Sequence, residues 1–154
     1  MSIDQRLEEL ELVLPPAPSA VGVYKPSIMV GNLCMTSGHV PLTSDGSLIK
    51  GCVGAELDKQ AGYDAAKACG LTILSTLKKD LGSLDRIKRV VKIVGMVWCT
   101  ADFVDHPTVI NGCSDLFRDV FGESIGIGAR SAVGMNSLPL GVTVEIEGIF
   151  EVND

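Results

Sequence analysis

The residue whose type and setting most suggest chemistry is Arg130. It follows a glycine-bearing stretch, residues 123–128, and enters the otherwise apolar run Ala129-Arg130-Ser131-Ala132-Val133-Gly134-Met135. A guanidinium is a planar fork with parallel N–H donors, a shape that fits a carboxylate as the point charge of lysine cannot. Two readings of Arg130 stand: an arginine that pairs with an internal acid or caps a loop, and one that offers its fork to a ligand carboxylate. Glu145 is equally open. It interrupts a strand pattern otherwise rich in valine and isoleucine, either as a solvent-facing residue or as a carboxylate whose pKa is raised in a pocket for proton transfer.

Metal chemistry has no comparable signal. Cys34, Cys52, Cys69, Cys99 and Cys113 form no close pair, and His39 and His106 lie far apart. Zinc sites and disulfide frameworks need short, regular spacings, so buried small hydrophobes are the expected role for these cysteines. Thirteen basic residues against nineteen acidic ones leave a formal charge of −6. Phosphate contact dominates nucleic-acid affinity, so this balance disfavours RNA as the main partner. The basic residues Lys78–Lys79 and Arg86, Lys88, Arg89, Lys92 read as a solvated helix end and the outer face of a strand.

The 154 residues suit one domain, and 46% hydrophobic with 21% charged is an ordinary balance for a folded chain. No apolar run reaches the ~20 residues that cross a bilayer, and MSIDQRLEELEL lacks the layout of a secretion signal. A cytoplasmic location is the expectation.

The elements that must position these residues follow from periodicity. Residues 3–13 read as a short amphipathic helix, ended by Leu14-Pro15-Pro16-Ala17-Pro18. Residues 27–37 suggest a hairpin around Gly31-Asn32, and the turn Thr43–Gly46 leads to a short strand near 47–53. From about Glu56 to Leu81, apolar residues recur at helical steps until Gly82; Gly62 and Gly70 imply close packing against a sheet. Residues 86–99 form the longest strand candidate. Asp105-His106-Pro107 opens a second helix that Gly122 closes, 123–128 reads as a loop, and 142–152 alternates as a last strand. This order predicts an α+β sandwich with both helices on one sheet face and the other face bare, a candidate surface for oligomerisation.

Four places in this frame resemble the YjgF/Rid (reactive intermediate deaminase) family, in its longer-chain branch. Ala20-Val21-Gly22-Val23-Tyr24 is similar to its tyrosine-bearing N-terminal segment, and Met35-Thr36-Ser37-Gly38-His39-Val40-Pro41 to its "TSG" strand end. Val109-Ile110-Asn111 resembles the asparagine of its second helix, and Arg130-Ser131…Leu138-Pro139…Glu145-Ile146-Glu147 its C-terminal signature. The resemblance implies a single domain over 1–154 with 1–14 as a helical extension. It further implies a chorismate-mutase-like mixed sheet, a homotrimer with ligand sites between subunits, and no cofactor. The implied activity is hydrolysis of enamines or imines such as 2-aminoacrylate to a 2-keto acid and ammonia. Arg130 would clamp the substrate carboxylate, with Ser37, Gly38, Asn111 and Ala132 lining its site. Glu145 would position water and shuttle protons, and Tyr24 would close the pocket. The sequence departs from the family pattern at Ala132, often cysteine, at Val23 before the tyrosine, and at Gly128, often proline. A non-catalytic trimer that binds small carboxylates is the alternative, with an endoribonuclease behind it.

Overall fold

The computed structural model describes all residues from Met1 to Asp154. The elements are α1 (Ile3–Glu9), β1 (Ser27–Val30), β2 (Leu33–Thr36), α2 (Lys59–Leu81), β3 (Ile87–Trp98), α3 (His106–Phe121), α4 (Glu123–Gly126), β4 (Ala129–Met135) and β5 (Val144–Val152). They build a mixed five-stranded sheet in the order β1-β2-β5-β3-β4, antiparallel except for the β3–β4 pair. The expected α+β architecture is present. No helix is long and apolar enough to cross a membrane.

One face of the sheet carries the core. Val90, Ile93 and Val97 of β3 and Val144, Ile146 and Phe150 of β5 point into it, where α2 and α3 cover them with Ile73, Leu74, Leu77, Ile110, Leu116 and Phe117. Strand alternation sends the intervening side chains to the other face. There Ile28 and Val30 of β1, and Val133 of β4, remain exposed beside half-buried Val94, Met96 and Trp98. No helix covers that face.

Sequence periodicity misplaces several boundaries. The first helix ends at Glu9, four residues early, so only part of 1–14 is helical. A capping box between Ser2 and Gln5 starts it, and an Ile3 N–H bond to the Asp85 carboxylate docks it on the domain. Residues 47–53 form isolated bridges rather than a regular strand. The glycines of α2 approach α3 more than the sheet: a Cβ on Gly70 would meet Leu116 and Cys113, and one on Gly62 would meet Val109 and Val53. The largest difference is β4. The run around Arg130 is an edge strand, paired parallel to β3 from Lys92↔Ala129 to Trp98↔Met135, and the supposed loop before it contains α4.

Candidate functional site

Arg130 reaches its position because β4 closes the edge of the sheet next to α3. It stands in register with the core residue Ile93, so its side chain leaves the strand on the helix-covered side. Its Nη1 donates to Asn111 Oδ1 at 2.6 Å and to Ser114 Oγ at 3.1 Å, both on α3. Asn111 and Ser114 are three residues apart and therefore share one helical face. Arg130 makes no ion pair within the chain, and its Nε and Nη2 have no hydrogen-bond partner. A half-buried guanidinium held only by neutral groups keeps its charge and part of its donor fork for an incoming anion. The reading of Arg130 as the partner of an internal acid is thereby removed. Ala132, two residues along β4, lies on the same side and faces Gly95 of β3.

Glu145 occupies a different environment. It pairs with Met96, and its neighbours Val144 and Ile146 enter the core, so its carboxyl points to the helix-free face. Gly38 lies directly over it: a Cβ built on Gly38 would overlap the Glu145 carboxylate. Only glycine lets the backbone come so close. Burial, with a smaller contribution from the negative charge of Glu147, holds the Glu145 carboxyl above its ordinary pKa of 4.5. No hydrogen bond within the chain compensates. A half-buried acid of raised pKa is suited to give and take a proton.

Ser37 ties Tyr24 to this side. The Ser37 N–H donates to the Pro26 carbonyl at 2.8 Å, and its hydroxyl to the Lys25 carbonyl at 2.5 Å. The segment that bears Tyr24 is thus pinned beside Gly38. Tyr24 itself is 48% exposed, and its hydroxyl accepts only the Val21 N–H at 3.5 Å.

The seven residues singled out from sequence fall into two groups. Arg130 and Ala132 of β4 and Asn111 of α3 lie on the helix-covered side at the sheet edge. Tyr24, Ser37, Gly38 and Glu145 gather at the junction of β2 and β5. Within one chain β3 separates the groups, and Arg130 and Glu145 leave the sheet on opposite faces. Ser114 was not foreseen; its place one helical turn after Asn111 is the signal that could have found it. His39 and Thr76, which brace the Ser37–Gly38 backbone, were also missed. No cluster of three or more histidine, cysteine, aspartate or glutamate side chains is arranged to hold a metal ion.

The comparisons with known proteins converge. The chain is 38% identical over 148 residues to Protein TCP17 of Trypanosoma cruzi, covering 96% of this chain and 92% of that one. The crystal structure of Atu1372 from Agrobacterium tumefaciens, a protein of unknown function, superimposes with a TM-score of 0.90 at 40% identity, covering 98% of this chain and 92% of that one. RidA from the Antarctic bacterium Psychrobacter sp. PAMC 21119 matches with a TM-score of 0.59 at 29% identity, over 88% of this chain and 94% of that one. Residues 4–145 match the family model described as "YjgF/chorismate_mutase-like, putative endoribonuclease". With its mixed sheet, its glycine-covered acid and its neutrally held arginine, the chain belongs to the YjgF/chorismate mutase-like family.

Proposed function

We propose that the protein is an enamine/imine deaminase acting on small carboxylate-bearing substrates such as 2-aminoacrylate, and that it works as a homotrimer. The observation that carries this reading is Arg130, a half-buried guanidinium between β4 and α3 whose only partners are the neutral Asn111 and Ser114. Its free donors bind the substrate carboxylate. The imine carbon is then held in place for attack, which removes much of the entropic cost of bringing water to it.

The enamine tautomerises to an imine by taking a proton at its terminal carbon and giving one up from nitrogen. Water adds to the imine carbon, a proton moves to nitrogen, and ammonia leaves as the carbonyl forms. Glu145 is the group for these transfers, because burial raises its pKa above the ordinary value and makes its carboxylate a stronger base. Gly38 and Ser37 keep the backbone tight against it, and Tyr24 closes the cleft from its exposed segment. Since Arg130 and Glu145 diverge within one chain, each working site takes its arginine from one subunit and its acid from a neighbour. The uncovered sheet face, with Ile28, Val30, Val133 and Met96, supplies one side of the contact, and a neighbour's β4–α3 edge the other.

The test is ammonia release from 2-aminoacrylate generated in situ. Wild-type protein turns it over, and Arg130→Ala and Glu145→Gln each abolish turnover. Binding of 2-ketobutyrate at Arg130 without any turnover would make the protein a carboxylate-binding trimer instead. An RNA-cleaving role finds little support in the basic residues: Lys88 and Arg89 both pair with Glu151, and Lys92 donates to Ser131. They form no free cationic track.

A further inference from the structure

His39 is a buried titratable group that the proposed chemistry does not use. It is 3% exposed and is fixed on every polar atom. Its main chain exchanges two hydrogen bonds with Ile146 of β5, His39 N–H to the Ile146 carbonyl at 2.8 Å and the reverse at 3.0 Å. The Cys69 thiol donates to its carbonyl at 2.9 Å. The ring Nδ1 lies 2.7 Å from the Ser37 carbonyl and Nε2 lies 2.7 Å from Thr76 Oγ1. A carbonyl can only accept, so Nδ1 carries the hydrogen. Nε2 is then the acceptor and the Thr76 hydroxyl the donor. Thr76 belongs to α2 and is itself 2% exposed.

The alternation of an extended chain gives this arrangement a consequence. His39 pairs with Ile146 and turns into the core under α2, so Gly38 turns the other way, onto Glu145. Ser37, whose carbonyl the ring holds, is the residue just before Gly38. The imidazole thus fastens the Ser37–Gly38 backbone to a core helix from behind, while its front presses on the carboxyl.

We propose that His39 is a positioning residue for Glu145: bridging the Ser37 carbonyl and the Thr76 hydroxyl, its neutral ring holds the Ser37–Gly38 backbone as a lid that keeps water off the carboxyl. The inference deepens the deaminase reading, because Glu145 is that reading's proton shuttle, but the lid is testable without turnover. In the neutral ring Nε2 accepts from the Thr76 hydroxyl; protonation would reverse that bond, with Nε2 donating to the hydroxyl oxygen. Burial favours the neutral form; the Ser37 carbonyl and the Asp80 carboxylate on α2 oppose it. The charge facing Glu145 is Glu147 on β5.

The experiment is a carboxyl-carbon NMR titration of Glu145 in the full-length protein. The wild type and the variants Thr76→Val, His39→Asn and His39→Ala are compared, each first checked for a native amide spectrum. Thr76→Val keeps the shape and removes only the hydroxyl. Loss of the lid admits water, and the Glu145 midpoint falls toward its ordinary value by about half a pH unit or more in Thr76→Val and His39→Ala. His39→Asn, whose amide N–H can replace Nδ1 toward Ser37, recovers part of the shift. An unchanged Glu145 midpoint in folded Thr76→Val and His39→Ala would overturn the proposal, whether or not the protein deaminates anything. Failure to release ammonia from any imine, with the midpoint shift intact, would instead remove the deaminase reading and leave the lid standing.

Discussion

At the scale of single residues the decisive feature is a contrast in electrostatic company. Arg130 has neutral partners and so no ion pair within the chain, while Glu145 is left without a hydrogen-bond donor and holds its proton more tightly. Arg130→Lys should therefore not rescue function. An ammonium cannot reproduce the fork, and the loss of a charge-assisted bidentate contact costs about 1.5–3 kcal/mol, or roughly 10- to 100-fold in kcat/KM. Steady-state kinetics on Arg130→Lys checks this directly. The two buried titrations pull stability in opposite directions. The pKa of His39 is depressed below 6.5, so its contribution is complete above that pH and is lost as pH falls through the folded-state value. The pKa of Glu145 is raised above 4.5, so its contribution is complete below that pH and is lost as pH rises through the folded-state value. Glu145→Gln should accordingly raise the urea midpoint at pH 7 and leave it nearly unchanged near pH 4. A third expectation concerns thiols. Cys34, Cys69 and Cys113 are fully buried and Cys52 nearly so, whereas half-buried Cys99 lies 3.4 Å from His106 Nε2. Iodoacetamide should label Cys99 first in native protein, and the other four only on unfolding, as read by peptide mass spectrometry. Much of the residue scale was legible in the sequence. Arginine and glutamate in apolar runs stood out because they contradict their surroundings. Ser114, His39 and Thr76 did not, because hydroxyls and a lone histidine acquire meaning only from partners distant in the chain.

At the scale of elements, long periodic segments were readable and short ones were not. The apolar steps of α2 and α3 fix their faces, and β5 alternates over its whole length. The strand β4 was hidden because its pattern is irregular, with Arg130 on the covered side and Val133 on the open side. An edge strand paired on one side only has no strong alternation to display. Its parallel pairing with β3 is also long-range, since α3 and α4 intervene. That crossover is what places Arg130 beside Asn111. The close packing of the two long helices adds a prediction of its own. A Cβ on Gly112 of α3 would overlap the Tyr63 carbonyl of α2. Gly112→Ala should force the helices apart and destabilise the fold by about 1–3 kcal/mol, measurable as a lower urea midpoint at unchanged slope.

At the scale of the whole molecule, the sheet separates the groups that the proposed reaction needs together. The helix-covered face has Arg130, the open face has Glu145, and β3 runs between their strands. The proposed reaction requires the open face of one copy to meet the β4–α3 edge of another, so that one subunit's acid reaches another's arginine. Composition could suggest a bare sheet face, but which side each residue takes depends on register, which no local pattern specifies. The direct measurement is complementation between two inactive variants. Arg130→Ala and Glu145→Ala chains, each inactive alone, are co-expressed with different tags, and mixed oligomers are isolated and assayed for ammonia release from 2-aminoacrylate. With sites shared between subunits, each mixed trimer restores one of its three interfaces, so activity returns to about a third of wild type. Mixed oligomers that stay inactive, while wild-type protein turns over, would contradict a site shared between chains.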